Sequence, residues 1–311
     1  MTTVKKSRSK TVKRRNLRQQ LPLHVMLLPA VVLVFIFNYL PLYGLKIAFE
    51  RFIPAKGLFG NQTFYGWRNF TYVMGLPNFW QVLYNTIIIA SAKIVLNLIV
   101  PIVVALMLNE LASAKVKRPI QTVIYFPHFL SWIILSGILI DLLSPSEGLV
   151  NKMLVTFGIQ PIYFLGDNRY FRGTLIVTDV WKNFGYGTIV YLASMTSIDP
   201  TLYEAAQIDG ANRWQQTWHI TLTGIRVTIA IMLVLALGRV LSAGFDQTFN
   251  LYNNVVYETG DILDTFVYRL GLEQAAYGPA TAVGLFKSVV SLLLVSISYG
   301  IAVKWFDYQL F

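Results

Sequence analysis

Between His24 and Leu45 the only strongly polar side chain is Asn38. At 1.5 Å of rise per residue, a helix over this stretch crosses about 30 Å of hydrocarbon. Comparable apolar stretches recur at 85–108, 120–143, 173–195, 226–245 and 280–305. A bilayer offers the backbone no water to bond to, so such stretches must cross as helices. The predicted fold class is an all-α membrane protein with six transmembrane helices. Composition agrees: 55% of residues are hydrophobic and 13% charged, where a soluble domain carries about a quarter charged. The first stretch is longer than a signal-peptide core and has no small-residue cleavage site, which predicts a retained span.

The net charge of +11 is concentrated at one end, where Lys5, Lys6, Arg8, Lys10, Lys13, Arg14, Arg15 and Arg18 stand among twenty residues without an acid. A basic tail before an apolar span reads as a cytoplasmic anchor against anionic lipid and argues against nucleic-acid binding. The expected organisation is a tail over 1–23 and a single transmembrane domain over 24–311, with both termini cytoplasmic. Residues 46–84, 144–172 and 246–279 are then external. The short basic loop 110–119 and the loop 196–224 are internal. Without cysteine there is no disulfide, thiolate metal site or thiol nucleophile.

The loop 196–224 carries the best-defined local chemistry. Asp199 suits an N-cap, Pro200 the first helical position and Gly210 a left-handed stop, predicting a helix over Pro200 to Asp209. A second short helix is expected to restart near Asn212. Ala205 and Ala206 leave one side of the first helix flat enough for another protein's surface to approach, and Glu204 offers a charge across that contact.

Glu204, Ala205, Ala206, Gly210, Ile220 and Leu222 follow the spacing E-A-A, three residues, G, nine residues, I-x-L, with Thr223 where a proline completes the pattern. This resembles the cytoplasmic loop of permease subunits of binding-protein-dependent ABC importers, in the maltose-permease-like group handling oligosaccharides and polysaccharides. The segments Asn38–Gly44, Tyr125–Trp132, Asp264–Tyr268 and Ala280–Lys287 resemble that group as well. The resemblance implies a type I importer permease fold, with five core helices and one added at the amino end, in the bacterial cytoplasmic (inner) membrane. It implies a second homologous permease subunit, two ATPase subunits docked on a coupling helix formed by Glu204 to Gly210, and an extracytoplasmic solute-binding protein. ATP and Mg would be used by the partner ATPase; no cofactor is expected on this chain. The Thr223 departure bears on where the next helix starts.

Charges within the spans are costly against lipid, at about 2.5–3.5 kcal/mol each. Their spacing places Lys93, Asn97 and Pro101 on one helix face, and Asp179, Lys182, Asn183 and Tyr186 on another with Trp181 alongside. Arg239, Ser242 and Asp246 belong to the fifth span, and Lys287 and Ser291 to the sixth. One reading makes these stripes the walls of a translocation pathway. The other makes Asp179 and Lys182 a self-neutralising i, i+3 pair, Lys287 a donor to carbonyls, and the aromatics packing groups. Basic Lys93, Lys182, Arg239 and Lys287 outnumber acidic Asp141, Asp179 and Asp246, a balance that suits an anionic sugar such as a uronate oligosaccharide.

Enzyme signatures are missing from the sequence. No G-x-x-x-x-G-K-[ST] phosphate loop occurs, which assigns ATP hydrolysis to another subunit, and His24, His128 and His219 lie apart without metal spacing. The expectation is a non-catalytic permease importing oligosaccharides. The alternative is an ion-coupled secondary sugar transporter working alone with Asp179 as its ion site.

Overall fold

The computed structural model describes residues 17–111 and 113–306. Most of the expected basic tail, and the last residues 307–311, lie outside the described residues.

The first span is helix α1 (Leu17–Val34), continued by a π-turn at Phe35–Tyr39 and a 3-10 stretch over Leu40–Phe49. Its side chains from Leu21 to Tyr43 are nearly all exposed, as lipid-facing or partner-facing apolar groups are. A small hairpin follows, with β1 (Glu50–Arg51) antiparallel to β2 (Thr63–Phe64). Short α2 (Arg68–Met74) leads into the long α3 (Phe79–Glu110).

The expected third span, 120–143, is not one straight helix. It is α4 (Ala114–Tyr125), a 3-10 turn at Phe126–Phe129 and α5 (Trp132–Leu143), bent by 105° at the break. Pro127 removes a backbone donor there, and Ser131 caps the restart by accepting the amide of Ile134 at 3.3 Å. Such a bend is tolerated at membrane depth only where other protein groups satisfy the freed carbonyls. Lys182 does so, as described below.

After α6 (Leu149–Thr156), α7 runs over Asn168–Met195, starting earlier than the apolar stretch because Asp167 caps it on the amide of Arg169 at 2.8 Å. Its 28 residues are long enough to cross a bilayer, but its polar groups keep it out of the set of plainly apolar helices. The loop that follows holds α8 (Pro200–Ile208), α9 (Arg213–Gln216), a π-turn at Thr217–Thr221 and α10 (Leu222–Gly224). Helix α11 (Arg226–Leu237) leaves α10 at a 57° bend. The expected fifth span to 245 therefore ends early, where Gly238 and Arg239 interrupt the apolar run. Residues 246–279 are folded into α12 (Phe245–Leu251), α13 (Tyr257–Gly260) and α14 (Leu263–Tyr268), before α15 (Tyr277–Phe306) forms the last span.

Among the described residues, three helical stretches are apolar and long enough to cross alone, and up to five if each bent pair counts as one span. With α7 added, the architecture is compatible with six.

The core is built on α3 against α7. Gly187 lets Pro101 of α3 come close, since a Cβ there would sit 2.9 Å from the proline Cγ. Three apolar clusters among the described residues include side chains of α3. Ile89, Leu135, Phe171 and Ile262 gather in one, and Val82, Phe79, Leu263 and Phe266 in a second. Ala105, Tyr191, Leu192 and Ile225 form the third, beside the loop that carries α8. Between them, buried Asn85 donates to the carbonyls of Glu258 and Asp261 at 3.0 Å each and accepts from Arg172. These bonds fix the 246–279 segment on α3 and α7.

Candidate functional site

A cavity of about 420 Å³ lies where α3, α7 and α11 meet the bend at Pro127. Lys93 of α3 and Asp179 of α7 meet in its wall: Nζ to Oδ1 is 3.5 Å, and Asn97 donates to Oδ2 at 2.9 Å. The Lys93 ammonium also donates to the carbonyl of Ala243 at 2.6 Å and to Gln247 Oε1. Gln247 passes the chain on to the Leu175 carbonyl and Thr178 hydroxyl, at 2.8 Å each. Buried charges need such partners to persist in a low-dielectric interior. Gly244 is required at this junction: its φ is +99°, and a Cβ would stand 3.1 Å from Lys93 Nζ.

The intrahelical Asp179–Lys182 pair of the alternative reading does not form. Helical periodicity makes i, i+3 neighbours available, but Lys182 points toward the bend instead. There its ammonium donates to the carbonyls of His128 and Leu130 at 2.7 Å, acceptors freed by the break, and lies 3.3 Å from the Pro127 carbonyl, which also accepts the Leu130 amide. Lys182 is thus buried and does not line the cavity. Trp181 faces away from the cavity and is 43% exposed. Lys287 forms an ion pair with Asp264 of α14 rather than bonding carbonyls, and lies apart from the cavity. Asp246 has left the stripe with Arg239 because α11 ends before it; it starts α12 and is exposed.

Of the pathway residues expected from sequence, Lys93, Asn97, Asp179, Asn183, Tyr186 and Arg239 line the cavity together. Sequence reasoning missed His128, read as an isolated packing group. It stacks on Tyr186 with centroids 4.5 Å apart and 12° between planes, and Nδ1 lies 3.2 Å from Asn183 Oδ1. The neighbouring Pro127 was the available signal, since a proline inside an apolar run marks a break that turns its neighbours inward. The walls thus combine aromatic faces with amide, carboxylate and cationic groups, which can stack on sugar rings and bond hydroxyls.

The second site is α8. Asp199 accepts the amide of Thr201 at 3.0 Å, and this bond holds the Asp199 carboxyl below the usual carboxylate range. Gly210 closes the helix with φ +80°, and the amide of Ala211 returns to the Ala206 carbonyl at 2.8 Å. Glu204 and Ala205 are exposed, Ala206 and Ile220 half-buried, and Leu222 packs toward Ile225. Ile220, Ala206 and Gly210 line a shallow hollow between α8 and α9. Leu202 and Ile208 are exposed at 52% and 87%, and Trp214 stacks on Trp218, also exposed. This apolar surface escaped the motif-based reading, which weighed Glu204 and the alanines. The helix is fastened at one point, where Tyr203 Oη lies 2.9 Å from Thr221 Oγ1, and the helices before and after the loop are joined to each other where Ser194 of α7 lies 2.8 Å from Thr228 of α11. A load on α8 therefore reaches both cavity-lining helices that flank it.

A polar cavity among membrane-spanning helices, mechanically joined to a short exposed helix with an apolar face, defines a membrane transport component. The chain belongs to the family described as binding-protein-dependent transport system inner membrane component, whose sequence profile matches residues 97–307. It is 39% identical over 287 residues to the polygalacturonan/rhamnogalacturonan transport system permease protein YteP of Bacillus subtilis (strain 168), covering 92% of this chain and 89% of that one. Protein LplB of the same organism is 39% identical over 292 residues, covering 93% and 91%. A solved bacterial ABC transporter involved in import of the acidic polysaccharide alginate contains a chain that superposes with TM-score 0.86 at 38% identity. That match covers 93% of this chain and 97% of the other. A solved bacterial alginate ABC transporter in complex with an alginate pentasaccharide-bound periplasmic protein contains a chain that superposes with TM-score 0.85. Family membership sets aside the ion-coupled secondary transporter.

Proposed function

We propose that this chain forms one half of the translocation pathway of an ATP-driven importer of acidic oligosaccharides, such as uronate-bearing polysaccharide fragments. A second homologous permease completes the pathway. Two ATPase subunits dock on α8 and its counterpart from the cytoplasm, and an extracytoplasmic binding protein delivers the sugar. The observation that carries this reading is the continuity of α7, α8 and α11. Two of the helices that line the cavity, α7 and α11, are the ones that flank the loop carrying the exposed coupling helix. The named cargo of the relatives supports the substrate class.

ATP-driven closure of the ATPase dimer moves α8. The Tyr203–Thr221 and Ser194–Thr228 contacts carry that displacement into α7 and α11, and the bundle rocks around the cavity by rigid-body motion. No group on this chain is assigned a catalytic role. The test is uptake of labelled oligogalacturonide into liposomes holding the complete complex. Uptake requiring internal ATP and the loaded binding protein is the expected result. Uptake driven by a proton or sodium gradient without an ATPase would refute the proposal.

A further inference from the structure

We infer that Arg239 reads the carboxylates of the passing sugar and so sets the preference for acidic over neutral chains. The inference rests on the proposed acidic-sugar function and names the residue that carries it. Four cations were counted at membrane depth, and the structure removes three from the reach of a substrate. Lys93 is paired with Asp179, Lys287 with Asp264, and Lys182 is buried against the carbonyls of the bend. Lys93 shares the cavity wall, but Arg239 alone of the four combines a place in that wall with exposure and with no carboxylate within 4.0 Å among the described residues. The Asp179 charge is already taken up by Lys93 and Asn97, so the cavity keeps the charge of one guanidinium.

The mounting of Arg239 supports this role. It sits on the non-helical stretch between α11 and α12, where its amide bonds to the Ala236 carbonyl at 3.0 Å and its carbonyl accepts from Ser242 at 2.8 Å. Lys93 holds the same stretch through Ala243. The base of the side chain is fixed and its head is free. Irregular backbone at membrane depth belongs where it lines a cavity. A planar guanidinium matches a carboxylate with two parallel bonds, a geometry that lysine does not offer. The Ser242 hydroxyl, exposed beside it in the same cavity, is placed for a neighbouring sugar hydroxyl.

The experiment compares uptake of an oligogalacturonide and of its neutral methyl ester by the reconstituted complex, each at saturating binding protein, for wild type, R239Q and R239K. Assembly with the partner subunits is measured separately by co-purification. Loss of one charge-assisted bond lowers the acidic-to-neutral uptake ratio of R239Q roughly tenfold to a hundredfold, expressed mainly in KM, with R239K recovering part of it. An R239Q ratio within about twofold of wild type, far below the loss expected for one such bond, would overturn the inference. So would an equal fall for both sugars, the signature of a structural role or of a salt bridge to the second permease. If R239Q does not assemble, the R239K ratio decides: a retained preference for the acidic chain supports the charge, and a lost one refutes it. A wild-type complex that imports the ester but not the acid would refute the proposed function itself.

Discussion

Replacing Lys93 with methionine keeps most of the aliphatic stem and deletes the ammonium. Three acceptors lose their donor at once: Asp179 Oδ1, the Ala243 carbonyl and Gln247 Oε1. Asp179, whose side chain is 14% exposed, would retain only the Asn97 amide at 2.9 Å. Breaking a buried pair in this way costs about 3–5 kcal/mol, because a charge is left without its counter-charge. Adding Asp179→Asn removes that charge while keeping a partner for Asn97. The double variant should then recover the part of the loss due to the uncompensated charge and keep about 1–3 kcal/mol for each of the two acceptors still without a donor, the Ala243 carbonyl and Gln247 Oε1. Unfolding of the purified complex in mixed micelles, titrated with a denaturing detergent, gives the differences. A double variant no more stable than Lys93→Met alone, or a single variant within about 0.5 kcal/mol of wild type, would refute the buried-pair reasoning.

Lys182→Met should free the 126–131 bend at a cost of about 1–3 kcal/mol for each of the orphaned His128 and Leu130 carbonyls, seen as faster amide hydrogen exchange there. Unchanged exchange would contradict it. Gly185→Ala places a Cβ 2.1 Å from the Ile124 carbonyl oxygen, so α4 and α7 must separate, and a loss of about 1–3 kcal/mol in the same detergent titration is expected. The Asp199 carboxyl is held below its ordinary range by the Thr201 amide. Its contribution to α8 is therefore full above the ordinary carboxylate range and lost as pH falls through the lowered value. Exchange of the first α8 amides should rise in acid, and Asp199→Asn, whose amide oxygen still caps, should abolish that rise.

Much of α8 was legible because its signals are local. Asp199, Pro200 and Gly210 fix the start and stop of a short helix whatever surrounds it, and the helix observed at Pro200–Ile208 ends one residue before the expected bound. The long spans were legible from hydropathy, but the breaks were not. Apolar residues dominate through Phe126–Leu130, and Val240, Leu241 and Ala243 resume the run beyond Gly238 and Arg239, so hydropathy averaged over a whole span registers no break. The turns depend on Lys182 and Lys93 reaching carbonyls from other helices. The same limit governs the cavity. Spacing places Lys93, Asn97, Asp179 and Asn183 on the correct helix faces, yet which cation is neutralised is decided between helices. Lys287 finds Asp264, which is 23 residues away and was read as part of an external loop. His128 enters the cavity only because the helix is broken beside it.

The central claim is that an ATPase partner drives this chain through α8. It is tested most directly by ATP hydrolysis of the reconstituted complex, with and without sugar-loaded binding protein, for wild type and Ala205→Trp. Stimulation in wild type, abolished by a tryptophan on the exposed face of α8 in a chain that still inserts, is the predicted result. Equal stimulation in both, or no association of the chain with any ATPase, would contradict it.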